Sequence, residues 1–230
     1  MSTPSCDVFA MNTFEQTTKP TTPYHHGDLR RALLDSASAI LSETGRWDFS
    51  LREVAKRAGV SHNAPYRHFA DKEALLAAVG VAGFEALRAR TTAAAKETSD
   101  AVEALKALGQ AYVDFGASNP ALYRLMFGQA VPNIDGRSPD IVEAANANRA
   151  VVRNVILAGA RTGQFAVDPD DADDVTTTVV AAGSLVHGFT LLIIDGLIER
   201  MVKREAVEGL AMKVFVRFIA GLTPKHGKST

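Results

Sequence analysis

An all-α fold is predicted, with a three-helix amino-terminal domain followed by a larger helical domain, and three observations predict it. Apolar residues recur at i, i+3, i+4 and i+7 in one segment after another, the spacing that lines one face of a helix. Capping residues, glycines and cap-proline pairs punctuate those segments. From Ser99 onward no stretch alternates apolar and polar residues as a half-buried strand does. At 230 residues and 47% hydrophobic content the chain can build a sizeable core.

Charge is unevenly spread. The formal net charge of −1, taken alone, counts against a polyanionic partner. From Lys19 to Lys72, however, nine Lys and Arg face six Asp and Glu, a local +3, which leaves 16 against 20, or −4, elsewhere. Basic charge therefore gathers at one end, where it would draw phosphates and release their counterions. Cys6 is the only cysteine, so no intramolecular disulfide and no thiolate metal site can form, and a reducing compartment fits. The amino terminus lacks a charged start followed by an apolar run. No segment approaches the roughly 20 apolar residues of a bilayer span, and the run Leu191 to Ile194 is far too short. A cytoplasmic protein with no membrane partner is expected.

Residues 1–23 are rich in Ser, Thr and Pro and poor in apolar side chains, so a disordered arm is expected, within which Met11 could be the true start. A helix from about Gly27 to Thr44 then offers Leu33, Leu34, Ala37, Ile40 and Leu41 as a broad apolar face, and Gly45 stops it. His25 and His26 precede it. Adjacent histidines rarely converge on one ion and no HExxH or Cys pair accompanies them, so no metal is expected; with Arg30 and Arg31 nearby, chain entry beside a phosphate suits them better. Trp47 and Phe49 are expected to close the small domain's core.

In the next helix Leu51, Val54, Ala55 and Ala58 share one face, while Arg52, Lys56 and Arg57 project elsewhere. Ser50 is placed to cap it, and Gly59 ends it where a residue without Cβ adopts a left-handed backbone cheaply. Val60 anchors the turn and Ser61 offers a second cap, starting another helix at Ser61 or His62 with Pro65 inside its first turn. Two short helices joined this tightly form a helix-turn-helix, and the second keeps one side free for an outside partner. That side is polar and basic: His62, Asn63, Arg67 and His68, with the methyl group of Ala64. In a DNA major groove Asn pairs with adenine, Arg pairs with guanine, and a small apolar group touches a thymine methyl. Tyr66 and Phe69 are read mainly as packing residues, the Tyr hydroxyl remaining free to reach a phosphate. Asp71 caps a long helix running to about Lys96, with Lys72 and Glu73 in its first turn, an end suited to a phosphate.

The run from Tyr24 through Leu76 resembles the amino-terminal domain of the TetR family of transcriptional repressors, in the G-V-S before the second helix, the Y-x-x-F inside it and the D-K-E that opens the helix after it. The resemblance implies a dimeric, all-helical, ligand-responsive repressor. The residues by themselves imply only a DNA-reading helix.

Farther on, Ser99 or Asp100 starts a helix to about Ala117, and Asn119-Pro120 starts another that Gly128 ends. After the loop VPNIDGRSP, Ser138-Pro139 opens a helix to about Arg161 with Gly163 beyond, and Asp168-Pro169 opens a long helix to Ile194. The carboxylates of Asp168, Asp170, Asp171, Asp173 and Asp174 lack calcium-loop spacing and favourably oppose a helix dipole. The last helix carries a broad stripe of Val207, Leu210, Ala211, Val214, Phe215, Phe218, Ile219 and Leu222, and Ala181 to Ser184 in the helix before it are small enough for close approach. A homodimer through these last two long helices is expected, the arrangement the resemblance also implies. Phe115 to Gly128 with Leu185 to Gly188 is similar to a TetR subgroup named for a Trp-His-Gly signature. His187 and Gly188 match it, and Gly183 stands where the Trp is expected, implying a larger or differently shaped pocket. Tyr112, Phe115, Tyr123, Met126, Phe127 and His187 are the candidate effector-binding residues, a set that describes a packed core equally well.

The domains thus read as an arm (1–23), a helix-turn-helix DNA-binding domain (24–72), a helical effector-binding and dimerisation domain (73–223) and a tail (224–230). The expected function is DNA-binding transcriptional regulation, with release from a near-palindromic double-stranded operator by a small-molecule effector and with no cofactor. Ser50, Tyr66 and Lys72 are expected at phosphates and His62, Asn63, Ala64, Arg67 and His68 at base edges, with Arg52 and Ser61 also counted among the DNA-binding residues. The competing reading is a helix-turn-helix architectural or activating protein without an effector. No nucleophile-base pairing, phosphate loop or metal-ligand cluster supports an enzyme.

Overall fold

The computed structural model describes residues 26–127, 139–202 and 209–224. The amino-terminal arm with Cys6 and Met11, His25, the loop before Pro139 with its Ser138 cap, Gly128, Val207 and the last six residues lie outside them. Every regular element among the described residues is helical: α1 (His26–Thr44), α2 (Leu51–Arg57), a 3₁₀ turn (Pro65–Arg67), α3 (Lys72–Lys96), α4 (Ala101–Ser118), α5 (Pro120–Met126), α6 (Pro139–Arg161), α7 (Ala172–Ile194), α8 (Ile198–Met201) and α9 (Leu210–Leu222).

The boundaries follow local chemistry. Ser50 and Glu53 form a capping box on α2, each side chain accepting from the other's backbone N–H, at 3.2 and 2.6 Å. Asp71 accepts from the Ala74 amide at 2.8 Å to open α3, and Asp100 accepts from Val102 and Glu103 to open α4. Gly45, Gly59 and Gly163 take positive φ where α1, α2 and α6 end. Two starts differ from expectation. Asn119 does not cap α5; its side-chain amide instead donates to the Phe115 carbonyl of α4 at 2.8 Å, closing the helix behind it. Helix α7 opens at Ala172 under Asp171, not at Pro169, because Asp168 is occupied in its own turn, accepting from the Asp170 amide.

One buried cluster runs unbroken from Leu33 and Leu41 of α1 through Val54, Phe69 and Leu76 to Tyr112, Tyr123 and Ile141. The small amino-terminal unit therefore shares its core with the larger bundle, in which α3 packs on α4 and α6, and α4 packs on α7 and α9. Helix α5 also touches α1. Helix α7 requires an amendment to the sequence reading: by length and composition alone it is apolar enough to cross a membrane, with a mean hydropathy of 1.8. It lies against α4 and α6 with Val175, Val179, Ala182 and Phe189 buried.

The stripe on α9 is divided. Ala211, Phe215 and Ile219 are buried within this chain and Leu210, Val214, Phe218 and Leu222 are half-buried, while Val216, outside the stripe, is exposed. Glycine is required at Gly159, where a Cβ would overlap the buried ring of Phe165 in the segment after α6 and lie 2.9 Å from the Cβ of Ala101 at the start of α4. Gly159→Ala should therefore destabilise the fold by about 1–3 kcal/mol despite alanine's better helix propensity, read as a lowered urea midpoint.

Candidate functional site

The outer surface of the helix-turn-helix is built on buried anchors. Phe69 is buried, Pro65 beside it is buried, and Arg30 from α1 lies over the Phe69 ring at 5.4 Å. The second element is not the regular helix expected from Ser61. Pro65 has no N–H to donate to the Ser61 carbonyl, which instead accepts from Ala64 at 2.9 Å. The chain tightens into a turn followed by the 3₁₀ turn, held by Arg67 N–H to Ala64 and His68 N–H to Pro65. Ser61, His62, Asn63, Tyr66 and Arg67 are exposed along this element, and Ala64 is half-buried. Tyr66 is 53% exposed and is not a packing residue. His68 is half-buried, and its Nε2 is enclosed without a partner, so that atom is turned away from the outer face.

Around this face the cations differ in availability. Arg57 is held by Glu43 of α1 through two hydrogen bonds, one of 2.7 Å, and this bonding holds the Glu43 carboxyl below its usual range. Arg46 is paired with Asp48, and Arg31 lies 3.8 Å from Asp35. Arg52, Lys56, Arg67 and Lys72 have no ion pair among the described residues. Lys56, exposed on α2, joins the set that sequence reasoning singled out. The Ser50 hydroxyl is engaged in its cap, accepting from the Glu53 amide and donating to Oε2 at 2.8 Å.

The larger domain contains a partly open cavity of about 510 Å³. Tyr112, Met126, Phe127 and His187 form part of its wall, as the sequence suggested, whereas Phe115 and Tyr123 are buried in the packing around it and do not line it. Much of the wall comes from α6, through Asn148, Arg149 and Val152, and from α7, through Val179 and Gly183; of these only Gly183 was singled out in the sequence. A Cβ on Gly183 would meet nothing within 4 Å, so the position expected to hold a Trp borders open space.

At one end the aromatic rings converge. Phe127 lies 4.4 Å from the His187 ring and 5.3 Å from Phe84, centroid to centroid. Behind them the Tyr123 hydroxyl sits 2.6 Å from His187 Nδ1 and 3.0 Å from the Tyr112 hydroxyl. Burial pushes the Tyr112 phenol up to about 12 and raises Tyr123 further. Burial also lowers His187, favouring the neutral ring. A lowered folded-state value means that His187 contributes stability that is complete above its unfolded value of 6.5 and is lost as pH falls through the folded value. Acidification below pH 6.5 should accordingly lower the urea midpoint of the natural chain more than that of His187→Phe. Among the described residues no group of three His, Cys, Asp or Glu is arranged to hold a metal ion.

Comparison with known proteins places this geometry in a family. Residues 33–79 match the family described as bacterial regulatory proteins, tetR family, and residues 105–214 match the tetracyclin repressor-like, C-terminal domain. A solved protein of unknown function from Rhodococcus sp. RHA1 is 33% identical, with a TM-score of 0.73, covering 88% of this chain and 99% of its own. The HTH-type transcriptional regulator Rv1816 of Mycobacterium tuberculosis is 31% identical over 150 residues, 62% of this chain and 58% of that relative. The match thus spans little more than half the length of that curated relative. The transcriptional regulator FadR of Bacillus subtilis, solved in complex with stearoyl-CoA, shares the fold at 18% identity and a TM-score of 0.64, covering 84% of this chain and 98% of its own. The chain belongs to the TetR family of bacterial regulatory proteins.

Proposed function

We propose that this chain is a homodimeric transcriptional regulator that reads half-sites of a near-palindromic duplex with the face from Ser61 to Arg67, and whose DNA affinity is set by a small apolar or amphipathic effector in the α6–α7 cavity. The observation that carries the reading is the exposure of His62, Asn63, Tyr66 and Arg67 on a turn whose Pro65 and Phe69 are locked in the core. Those side chains supply the donors that pair with guanine and adenine edges, and the nearby cations Arg52, Lys56 and Lys72, without an ion pair among the described residues, suit phosphates. Such work belongs in the cytoplasm.

The dimer in this reading uses α7 and α9, whose outer sides expose Val180 and Val216. Effector control is a matter of linkage: a ligand shifts DNA affinity only by its preference for one arrangement of the two reading heads. A physical route exists, since Phe127 at the cavity's aromatic end follows α5, and α5 touches α1. The stearoyl-CoA bound by the Bacillus regulator supports an elongated apolar effector.

Selection of bound duplexes from a random pool at fixed salt tests the DNA reading. Enrichment of a near-palindrome whose half-sites lie about 34–36 Å apart, or a multiple of that, is the expected result. A pool that stays random while binding falls uniformly with salt would contradict it.

A further inference from the structure

Resting on the effector reading above, we propose that His187 presents a fixed, uncharged N–H donor to the cavity, and that the effector is an apolar molecule, neutral or anionic, that carries a carbonyl-type acceptor to meet it. The assignment comes from counting protons in the Tyr112–Tyr123–His187 group. The Tyr123 hydroxyl has one proton and three polar neighbours: His187 Nδ1 at 2.6 Å, the Tyr112 hydroxyl at 3.0 Å, and the Thr190 hydroxyl, whose own proton goes to the Val186 carbonyl at 2.7 Å. A separation of 2.6 Å is shorter than the roughly 2.7–3.2 Å of N–H···O bonds and matches the shorter contacts, roughly 2.5–3.0 Å, that hydroxyl donors make with oxygen acceptors. The proton between Tyr123 and His187 is therefore the phenol's, and Nδ1 accepts it.

The 3.0 Å contact with Tyr112 allows either hydroxyl to donate; with its proton directed to His187, Tyr123 accepts there and the Tyr112 hydroxyl supplies the proton. A neutral ring that accepts at Nδ1 carries its hydrogen on Nε2. Burial favours the neutral ring, consistent with this tautomer. The opposite polarity, with Nδ1–H donating, would leave the proton of the more deeply buried Tyr112 hydroxyl without an acceptor among the described residues, a costlier place for an unmet donor than the half-buried His187. Nε2 has no hydrogen-bond partner among the described residues, and it is not one of the enclosed unpaired atoms, which are His68 Nε2 and Asn148 Oδ1. His187 is part of the cavity wall, so the free N–H belongs to the site.

The remaining wall restricts the ligand's charge. No Asp or Glu lines the cavity, and Arg149 is its one charged side chain among the described residues. A cationic ligand would find no counter-charge among the described residues of the wall. The rest of the lining is mostly apolar, including Leu105, Ile141, Val152, Phe215 and Ile219, which suits a hydrocarbon body. Tyr123 is a positioning residue in this scheme: it touches no ligand and fixes which nitrogen of His187 carries the hydrogen.

The test uses the full chain without DNA. Long-range proton-nitrogen spectra of histidine-labelled protein should show His187 with an unprotonated Nδ1 and a protonated Nε2, and Tyr123→Phe should mix the two tautomers. A protonated Nδ1 in the unaltered chain would overturn the assignment without need of any variant. For the ligand class, 2-undecanone and its isostere 2-methyl-1-undecene, which lacks only the acceptor oxygen, are titrated calorimetrically. The ketone should bind about three- to tenfold tighter, and His187→Phe should bring the two to parity. Equal binding to the unaltered chain, a preference that survives His187→Phe, or no binding of either probe would overturn the proposed class. Neither measurement involves DNA, so their failure leaves the DNA reading untouched. A ketone preference at His187 with unchanged affinity for the selected duplex would sustain the donor and remove its role in effector control.

Discussion

Arg67→Ala is expected to erase the preference for guanine at one position of each half-site while leaving the protein as stable as before. The Arg67 side chain is exposed and unpaired among the described residues, and its backbone N–H to Ala64 at 3.2 Å survives the change. Truncation at such a surface position alters stability by no more than about 0.5 kcal/mol. A bidentate Arg–guanine pair discriminates by about 1–3 kcal/mol. A twofold assembly uses the pair twice, so the loss for the cognate duplex should fall between roughly 30-fold and somewhat above 10,000-fold. Fluorescence anisotropy at constant salt, across duplexes altered one base at a time, gives the measurement. If Arg67 meets a phosphate instead, affinity drops uniformly over all the duplexes and the salt dependence becomes shallower by about one contact.

Gly183→Trp should abolish the response to cavity ligands without unfolding the chain. Gly183 sits in the middle of α7 on the cavity wall, with open space where a Cβ would be, and its backbone does not require glycine. Even the smallest change, Gly183→Ala, should stabilise by about 0.5–1 kcal/mol through helix propensity. That sign is opposite to the one expected at Gly159, where the same added methyl meets a buried ring. The indole of the Trp variant would occupy part of the 510 Å³ cavity, so the rise in melting temperature caused by 2-undecanone should vanish while the unliganded melting temperature holds or rises. A full ligand-induced rise in the Trp variant would mean that the ligand sits elsewhere.

Much of the fold was legible because the chain marks its helix ends with residues that act locally. Ser50 with Glu53, Asp71 and Asp100 cap helices where the sequence placed them, and Gly45, Gly59 and Gly163 turn the chain with positive φ. The errors arose where two local devices compete. Asp168 and Asp171 are both capable caps, and only the turn that engages Asp168 decides for Asp171. Pro65 was recognised as an early-turn residue, but the lost bond to Ser61 tightens the whole element into i, i+3 pairing and turns Tyr66 outward. The site in the larger domain was legible in part. Tyr112, Tyr123 and His187 were picked singly as aromatic or polar candidates, yet 11 and 64 residues of chain separate the bonded pairs, so only tertiary packing makes them one hydrogen-bonded group. The α6 wall, with Asn148 and Arg149, left no local signal, because an Asn and an Arg on a helix read equally well as solvated surface.

The claim on which the rest depends is that base edges in a major groove meet the face from Ser61 to Arg67. Dimethyl sulfate attacks guanine N7, an acceptor on the floor of that groove, so methylation protection on the selected duplex reports the contact directly. Protection of matching guanines in both half-sites, with one guanine in each losing it in Arg67→Ala, is the predicted result. Undiminished reactivity of every guanine under a fully bound chain would contradict the account.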